Sequence, residues 1–180
     1  MTMIHKAIIF SAVAHKNQKR KGTDVPYIVH PFEVAQILTQ ANASESAICA
    51  GLLHDTVEDT EVTLEDIRRE FGQETAEIVA SMTEDKSLSW EERKQKTIDT
   101  AGSMSLEKQQ LLCADKLSSL RSIEADMGEV GEDIWKRFKR GKESQKWYYK
   151  GIMEALYDSL HNYAMYQEMA GLFDKIFDNK

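Results

Sequence analysis

The chain has 180 residues, 42% hydrophobic and 29% charged, with two prolines, nine glycines, two cysteines and a formal net charge of −7. That length suits one domain with its own core, and so few helix breakers favour long helices over many short strands. The acidic balance argues against a general binder of duplex nucleic acid. No apolar run reaches the roughly 18 residues of a membrane span, and the N-terminus has no signal-peptide pattern, so a cytoplasmic protein is expected.

Ile4 to Lys16 carries apolar residues at helical spacing, and the polar stretch Asn17 to Val25 reads as a loop. A second helix is expected from His30-Pro31, because proline is tolerated in a first turn, through Phe32, Val34, Ala35, Ile37 and Leu38. Asn42 to Ser44 interrupts it, and Ser44 is placed to cap a helix ending near His54. Thr63, with Asp66 three residues on, opens a short helix that stops near Gly72. Ser89 with Glu92 makes the same pattern for a helix through about Thr100. Ser105 can cap a helix running to about Met127, and one or two longer helices follow Gly128. They end in the apolar stripe Leu172, Phe173, Ile176 and Phe177, which can pack internally or against a second copy. With no internal repeat, low-complexity segment or strand pair, the expected architecture is all-α, a single helical-bundle domain over residues 1–180. Cys49 and Cys113 fall in apolar helical stretches and read as buried free thiols.

The densest chemistry lies in His54-Asp55-Thr56-Val57-Glu58-Asp59, directly after the apolar run Ile48 to Leu53. On a continuous helix of about 3.6 residues per turn, His54 stacks over Glu58 and Asp55 over Asp59. Adjacent imidazole and carboxylate groups can hold a divalent cation, and an acidic pair one turn on is suited to handling a water. Further along, Asp115, Ser119 and Ser122 share a helical strip flanked by Leu111 and Leu112. A buried carboxylate there is costly unless it is paired or bound to a metal. His30, at a helix start, completes a set of two nitrogens and two oxygens with His54, Asp55 and Asp115. Such a set suits Mn²⁺, Fe²⁺ or Zn²⁺, and its lack of thiolates is unlike structural zinc. Taken singly, a histidine at a helix start is more often a cap and a buried aspartate often a lysine's partner; the combination favours ligation. Lys16 to Lys21 holds four basic residues and no acid, and Trp135 to Lys150 holds seven with only Glu143 opposing. On an acidic chain such patches suit a compact polyanion such as a nucleotide.

The order histidine, His-Asp pair, distant aspartate resembles the HD phosphohydrolase superfamily. Flanking residues narrow the likeness: Arg20-Lys21, Pro26-Tyr27-Ile28-Val29-His30-Pro31, and Gly51-Leu52-Leu53 running into His54 to Thr60. To these are added Thr83-Glu84-Asp85-Lys86, Glu92-Arg93-Lys94 and Ala114-Asp115-Lys116-Leu117. Over roughly residues 1–160 the chain resembles the hydrolase domain of RelA/SpoT enzymes, most of all the stand-alone small alarmone hydrolases. The resemblance implies a Mn²⁺-dependent 3′-pyrophosphohydrolase that converts (p)ppGpp to GDP or GTP and releases pyrophosphate. It implies His30, His54, Asp55 and Asp115 as metal ligands and Glu58 and Asp59 as the acidic pair that orients or deprotonates the attacking water. Arg20 and Lys21 would line the nucleotide base, Lys116, Ser119 and Ser122 would contact substrate, and Lys142 and Trp147 would add phosphate and stacking contacts. Two departures touch recognition: the loop Gly22 to Val25 is one residue longer than the common pattern, and Ser119 stands where the family usually has asparagine. Two competing readings follow, an HD-type nucleotidase or phosphatase acting on another nucleotide such as NADPH, and a non-catalytic nucleotide-binding helical module. A homo-oligomer is compatible with each.

Overall fold

The computed structural model describes residues 1–178, which form helices joined by loops, a long one running over residues 15–28. Among them there is no strand; one isolated antiparallel bridge pairs Lys19 with Pro26 and pins the loop ahead of the second helix. In chain order the helices are α1 (Met3–Ala14), α2 (Val29–Gln40), α3 (Glu45–Leu53), the single turn α4 (Thr56–Asp59), α5 (Leu64–Phe71) and α6 (Gln73–Met82). Then come α7 (Trp90–Ala101), α8 (Leu106–Val130), a 3-10 segment (Gly131–Arg137), α9 (Gly141–Leu160), α10 (Ala164–Phe173) and a terminal π turn (Asp174–Asp178). No helix among the described residues is long and apolar enough to cross a membrane.

The start signals act as their chemistry requires. The Ser44 hydroxyl accepts from the Ala47 N–H, and complete capping boxes form at Thr63/Asp66 and Ser89/Glu92. Ser105 precedes α8 in extended backbone but makes no capping bond. Helix α6 begins without a capping side chain, because Gly72, at φ 87°, ends α5 and starts α6 at once.

Beyond Glu45 and Ser46, helix α3 is apolar on every side, and Ala47, Ile48, Cys49, Ala50, Leu52 and Leu53 are all buried. It is sheathed by α1, α2, α6 and α8. Each leucine so enclosed contributes about 2 kcal/mol relative to exposure. Gly51 permits the close approach of α2, since a Cβ there would lie 2.7 Å from Leu38 Cδ1 and 3.3 Å from Val34 Cγ1. Helix α8 packs Leu111, Leu112, Leu117, Leu120 and Ile123 into the same core. The C-terminal stripe packs internally: Phe173, Ile176 and Phe177 are buried, and the Phe177 ring lies 5.3 Å from Trp135 and 6.0 Å from Tyr149. Cys49 and Cys113 are free and buried, and burial raises their thiols to about 11 and about 12.

Two local expectations are corrected. Helix α2 starts at Val29 with Ile28 as its cap, so His30 lies inside the first turn and not at the cap. Pro31 still sits where its missing N–H costs nothing. The run from His54 to Asp59 is not one helix either. Helix α3 stops at Leu53, the Thr56 hydroxyl donates to the Leu53 carbonyl at 2.7 Å, and His54-Asp55 form an elbow before α4.

Candidate active site

Three elements converge on one point: α2 brings His30, the elbow brings His54 and Asp55, and α8 brings Asp115. His30 Nε2 lies 3.1 Å from Asp115 Oδ1 and 3.7 Å from Asp55 Oδ2. His54 Nε2 lies 3.1 Å from Asp55 Oδ2 and 3.8 Å from Asp115 Oδ1. His30, His54 and Asp115 each offer a donor atom within 4.8 Å of the others, and Asp55 joins them through its distances to the two histidines.

The outer nitrogens define the inner ones. His54 Nδ1 sits 2.8 Å from the Gly51 carbonyl, which only accepts, so Nδ1 carries the proton and the neutral ring presents its Nε2 lone pair inward. That Nε2 is buried and makes no well-formed hydrogen bond, with Asp55 Oδ2 beside it at 3.1 Å. A bare lone pair there, facing two carboxylates, is costly; a proton relieves it in the metal-free protein, and a divalent cation with nitrogen and oxygen ligands relieves it when bound. The donor set therefore fits such a cation.

Without a cation, protons take up the charge. Burial alone would lower His54, but Asp55, then Asp115 and the Gly51 carbonyl, outweigh it and raise the imidazole to about 9. Burial alone would raise Asp115 and Asp55; Lys116 and the histidines hold Asp115, and the two histidines hold Asp55, well below the usual carboxylate range. The carboxylates divide their oxygens. Asp115 Oδ2 takes Lys116 Nζ at 2.7 Å while Oδ1 faces the histidines, and Asp55 Oδ2 also accepts from the Tyr27 hydroxyl at 2.6 Å. Burial first, then the Asp55 charge, pushes that tyrosine up.

A cleft of about 280 Å³ opens over this cluster. Glu58 lines it, and its Oε1 accepts from the Glu84 N–H at 2.5 Å. Burial raises the Glu58 carboxyl, and the Glu84 charge adds to the rise against that N–H. Arg93, Lys94 and Lys116 line the same cleft. Glu84 holds Arg93 at 2.9 Å and also pairs with Lys94, while Lys94 and Lys116 lie 5.0 and 5.3 Å from the centroid of the Tyr148 ring. A second cavity of about 500 Å³ adjoins and shares Arg20, Tyr27, His30 and Ser119 with the first. Lys21, Ser122, Trp90, Arg137 and Tyr149 are among its other walls. The Arg20 guanidinium lies 5.8 Å from the Tyr27 ring centroid, and Asp126 fixes Arg137 at 2.6 Å.

Three residues expected at the site stand elsewhere. Asp59 is exposed, accepts from Gln18 Nε2 at 3.2 Å and lines a shallow depression that excludes the histidines. The break at the elbow causes this, because α4 turns Glu58 inward and Asp59 outward. Lys142 pairs with Glu132 at 3.0 Å over the Trp135 ring, and Trp147 packs on Trp90 in an outer hollow beside Glu143. Neither lines the two clefts. The basic stretch around them divides: Arg137, Lys139 and Arg140 face the larger cavity, whereas Lys136 and Lys142 pair outward with Asp133 and Glu132. Tyr27, Trp90 and Ser118 line the clefts without having been assigned roles from sequence. Tyr27 had a signal, lying three residues before His30 beside the proline that fixes the loop.

A family model described as an HD domain matches residues 7–141. The chain belongs to the HD-domain family. Relatives include a protein of Xenopus tropicalis named guanosine-3′,5′-bis(diphosphate) 3′-pyrophosphohydrolase MESH1. It is 42% identical over 124 residues, covering 67% of this chain and 69% of the relative. The human protein of that name is 40% identical over 121 residues, 66% of this chain and 68% of its own. Among solved structures, the Listeria monocytogenes EGD-e protein lmo0812 is 46% identical with a TM-score of 0.77, covering 83% of this HD-domain chain and 99% of its own. A metazoan ortholog of SpoT, described as hydrolysing ppGpp and acting in starvation responses, has 26% identity and a TM-score of 0.80 over 97% and 96% of the two chains.

Proposed function

We propose that this HD-domain chain is a metal-dependent (p)ppGpp 3′-pyrophosphohydrolase. The observation that carries the reading is the buried, unpartnered His54 Nε2 facing Asp55 and Asp115 at the floor of a cleft lined by Arg93, Lys94 and Lys116. The names borne by the relatives support the substrate. His30, His54, Asp55 and Asp115 would hold the cation, and Mn²⁺ suits their mixed nitrogen and oxygen donors. A cation there supplies Lewis acidity, lowering the pKa of a bound water from about 15.7 towards about 7 and offsetting phosphate charge.

The chain's own groups do the rest. Glu58, the member of the acidic pair that lines the cleft, accepts the proton of the attacking water. Its raised pKa brings it nearer the working range of a general base. The water oxygen joins the phosphorus attached to ribose O3′, the P–O3′ bond breaks, and pyrophosphate leaves as O3′ takes a proton. Arg93, Lys94 and Lys116 hold the departing diphosphate, while Arg20, Lys21, Ser119 and Ser122 line the space for base and ribose. Ser119 borders both clefts, so the pocket would also take another nucleotide with a phosphate ester on its ribose, which puts NADPH in the test.

The experiment is a turnover assay with ppGpp, NADPH and simple nucleotides in Mn²⁺, Mg²⁺ and Zn²⁺. Pyrophosphate release from ppGpp with Mn²⁺ is expected. Release of phosphate from NADPH alone would move the assignment to the second substrate. Tight nucleotide binding without turnover in every metal would make the chain a binding module.

A further inference from the structure

His30 is held by a chain of side chains that starts at the wall of the larger cavity, which Ser118 and Glu33 line, and leads outward to α10. Its Nδ1 lies 2.8 Å from Ser118 Oγ, and both residues are buried. The Ser118 hydroxyl donates to Glu33 Oε2 at 2.6 Å. Glu33 Oε1 accepts from Arg121 Nη1 at 3.0 Å, and Arg121 makes two parallel bonds to Glu168 on α10, at 2.7 and 2.8 Å.

The directions of these bonds are forced. Arg121 only donates, and an ionised Glu33 only accepts, so the single Ser118 proton goes to Glu33. Ser118 then offers His30 only a lone pair, so the His30 proton must sit on Nδ1. Nε2, 3.1 Å from Asp115 Oδ1, is then the nitrogen free to offer a cation the lone pair that a metal ligand needs. His54 obtains the same tautomer from a backbone carbonyl, which no side-chain substitution removes. For His30 the tautomer depends on a carboxylate two residues removed from the cation centre.

We propose that Glu33 is a positioning residue that sets the His30 tautomer through Ser118, and so sets cation affinity, with Arg121 and Glu168 fixing Glu33 in place. This inference rests on the cation centre described above and on no particular nucleotide. It makes α10 part of the support of the site, although α10 contributes no residue to the metal-bearing cleft.

The decisive variant is the isosteric Glu33→Gln. Arg121 would draw the amide oxygen to itself and turn the amide nitrogen towards Ser118. Ser118 would accept from that nitrogen and point its own proton at His30 Nδ1. The His30 proton would move to Nε2, where it blocks the cation. Glu33→Ala introduces no donor, so Ser118 stays free to accept from Nδ1–H. An ordinary packing role predicts that alanine is the more damaging change; the relay predicts the reverse.

The measurement is Mn²⁺ binding to metal-free protein by titration calorimetry, without nucleotide, alongside thermal unfolding and imidazole nitrogen NMR. Expected is a loss of about 10- to 100-fold in Mn²⁺ affinity for Glu33→Gln, a smaller loss for Glu33→Ala, and a shift of the His30 proton from Nδ1 to Nε2. Ser118→Ala should weaken binding while leaving His54 unaffected, and it serves if Glu33→Gln folds poorly. Equal affinity in wild type and Glu33→Gln, or a larger loss in Glu33→Ala, would overturn the relay and leave the cation centre standing. Wild-type protein that binds no Mn²⁺ would overturn both, whereas a binding protein that fails only on ppGpp would sink the substrate reading alone.

Discussion

The metal-free protein should release a proton when it takes up a cation, and the structure sets the size of the effect. His54 titrates at about 9 because Asp55 and Asp115 outweigh its burial, so at pH 7 it is an imidazolium. A cation can use Nε2 only after that proton leaves. Two pH units between about 9 and 7 make this cost about 3 kcal/mol, or about a hundredfold in apparent affinity at pH 7. Affinity should climb about tenfold per unit from pH 7 to 9 and then level off. Stability without metal runs the other way, because a folded pKa above the unfolded value stabilises at low pH. That contribution is complete below about 6.5 and is lost as pH rises through about 9, a swing of order 3 kcal/mol. For a chain of this size it corresponds to a fall of about 10 °C in Tm. Calorimetric titration of Mn²⁺ in buffers of different ionisation enthalpy counts the protons, with about one expected at pH 7 and none well above 9. A flat affinity with no proton release, together with a metal-free Tm that does not fall between pH 6.5 and 9, would refute the account of His54.

Two further outcomes follow from named contacts. Glu58→Gln keeps an acceptor for the Glu84 N–H but loses the base, so turnover should fall by about 10²- to 10⁴-fold with cation binding retained, as pyrophosphate release and metal titration would record. The acid limb of the wild-type rate profile should disappear in that variant, because below its raised pKa Glu58 is protonated and inactive as a base. Gly51→Ala forces a methyl to 2.7 Å from Leu38 Cδ1, costing about 1–3 kcal/mol and prising α3 from α2. Since the Gly51 carbonyl also orients His54, Mn²⁺ affinity should drop together with Tm; an unchanged affinity would show the two helices to be independent.

Where side chains make local bonds, the sequence was readable. Thr63/Asp66 and Ser89/Glu92 announce helix starts because the cap is a contact between residues three apart. Helix α6 gives no such announcement, since Gly72 starts it through backbone conformation alone. The four candidate ligands were legible as residue types. Their convergence depends on α8 crossing near the N-terminal turn of α2, which spacing along the chain does not encode. Lys142 and Trp147 were misplaced for a related reason. The 3-10 segment Gly131–Arg137 and Gly141, at φ 70°, redirect the chain, so neighbouring basic residues face opposite sides.

The elbow at His54-Asp55 is where these levels meet. A continuous helix would hold His54 and Glu58 in one line and give Asp55 and Asp59 equal standing. The Thr56 hydroxyl instead takes the Leu53 carbonyl, α3 ends, and both His54 and Asp55 are free to face the same point. The turn that follows carries Glu58 to the cleft and Asp59 to the Gln18 side. The elbow, with this hydroxyl–carbonyl bond across it, thus divides the motif into two parts with separate proposed duties, candidate ligands at the elbow and a candidate base on the next turn. Such an elbow needs support from both sides. Gly51 closes the packing behind His54, and the Glu168–Arg121–Glu33–Ser118 chain holds His30 opposite it. The proposed cation centre would therefore be oriented by backbone on one histidine and by side chains on the other, and only the second arm would be inverted by a single isosteric substitution.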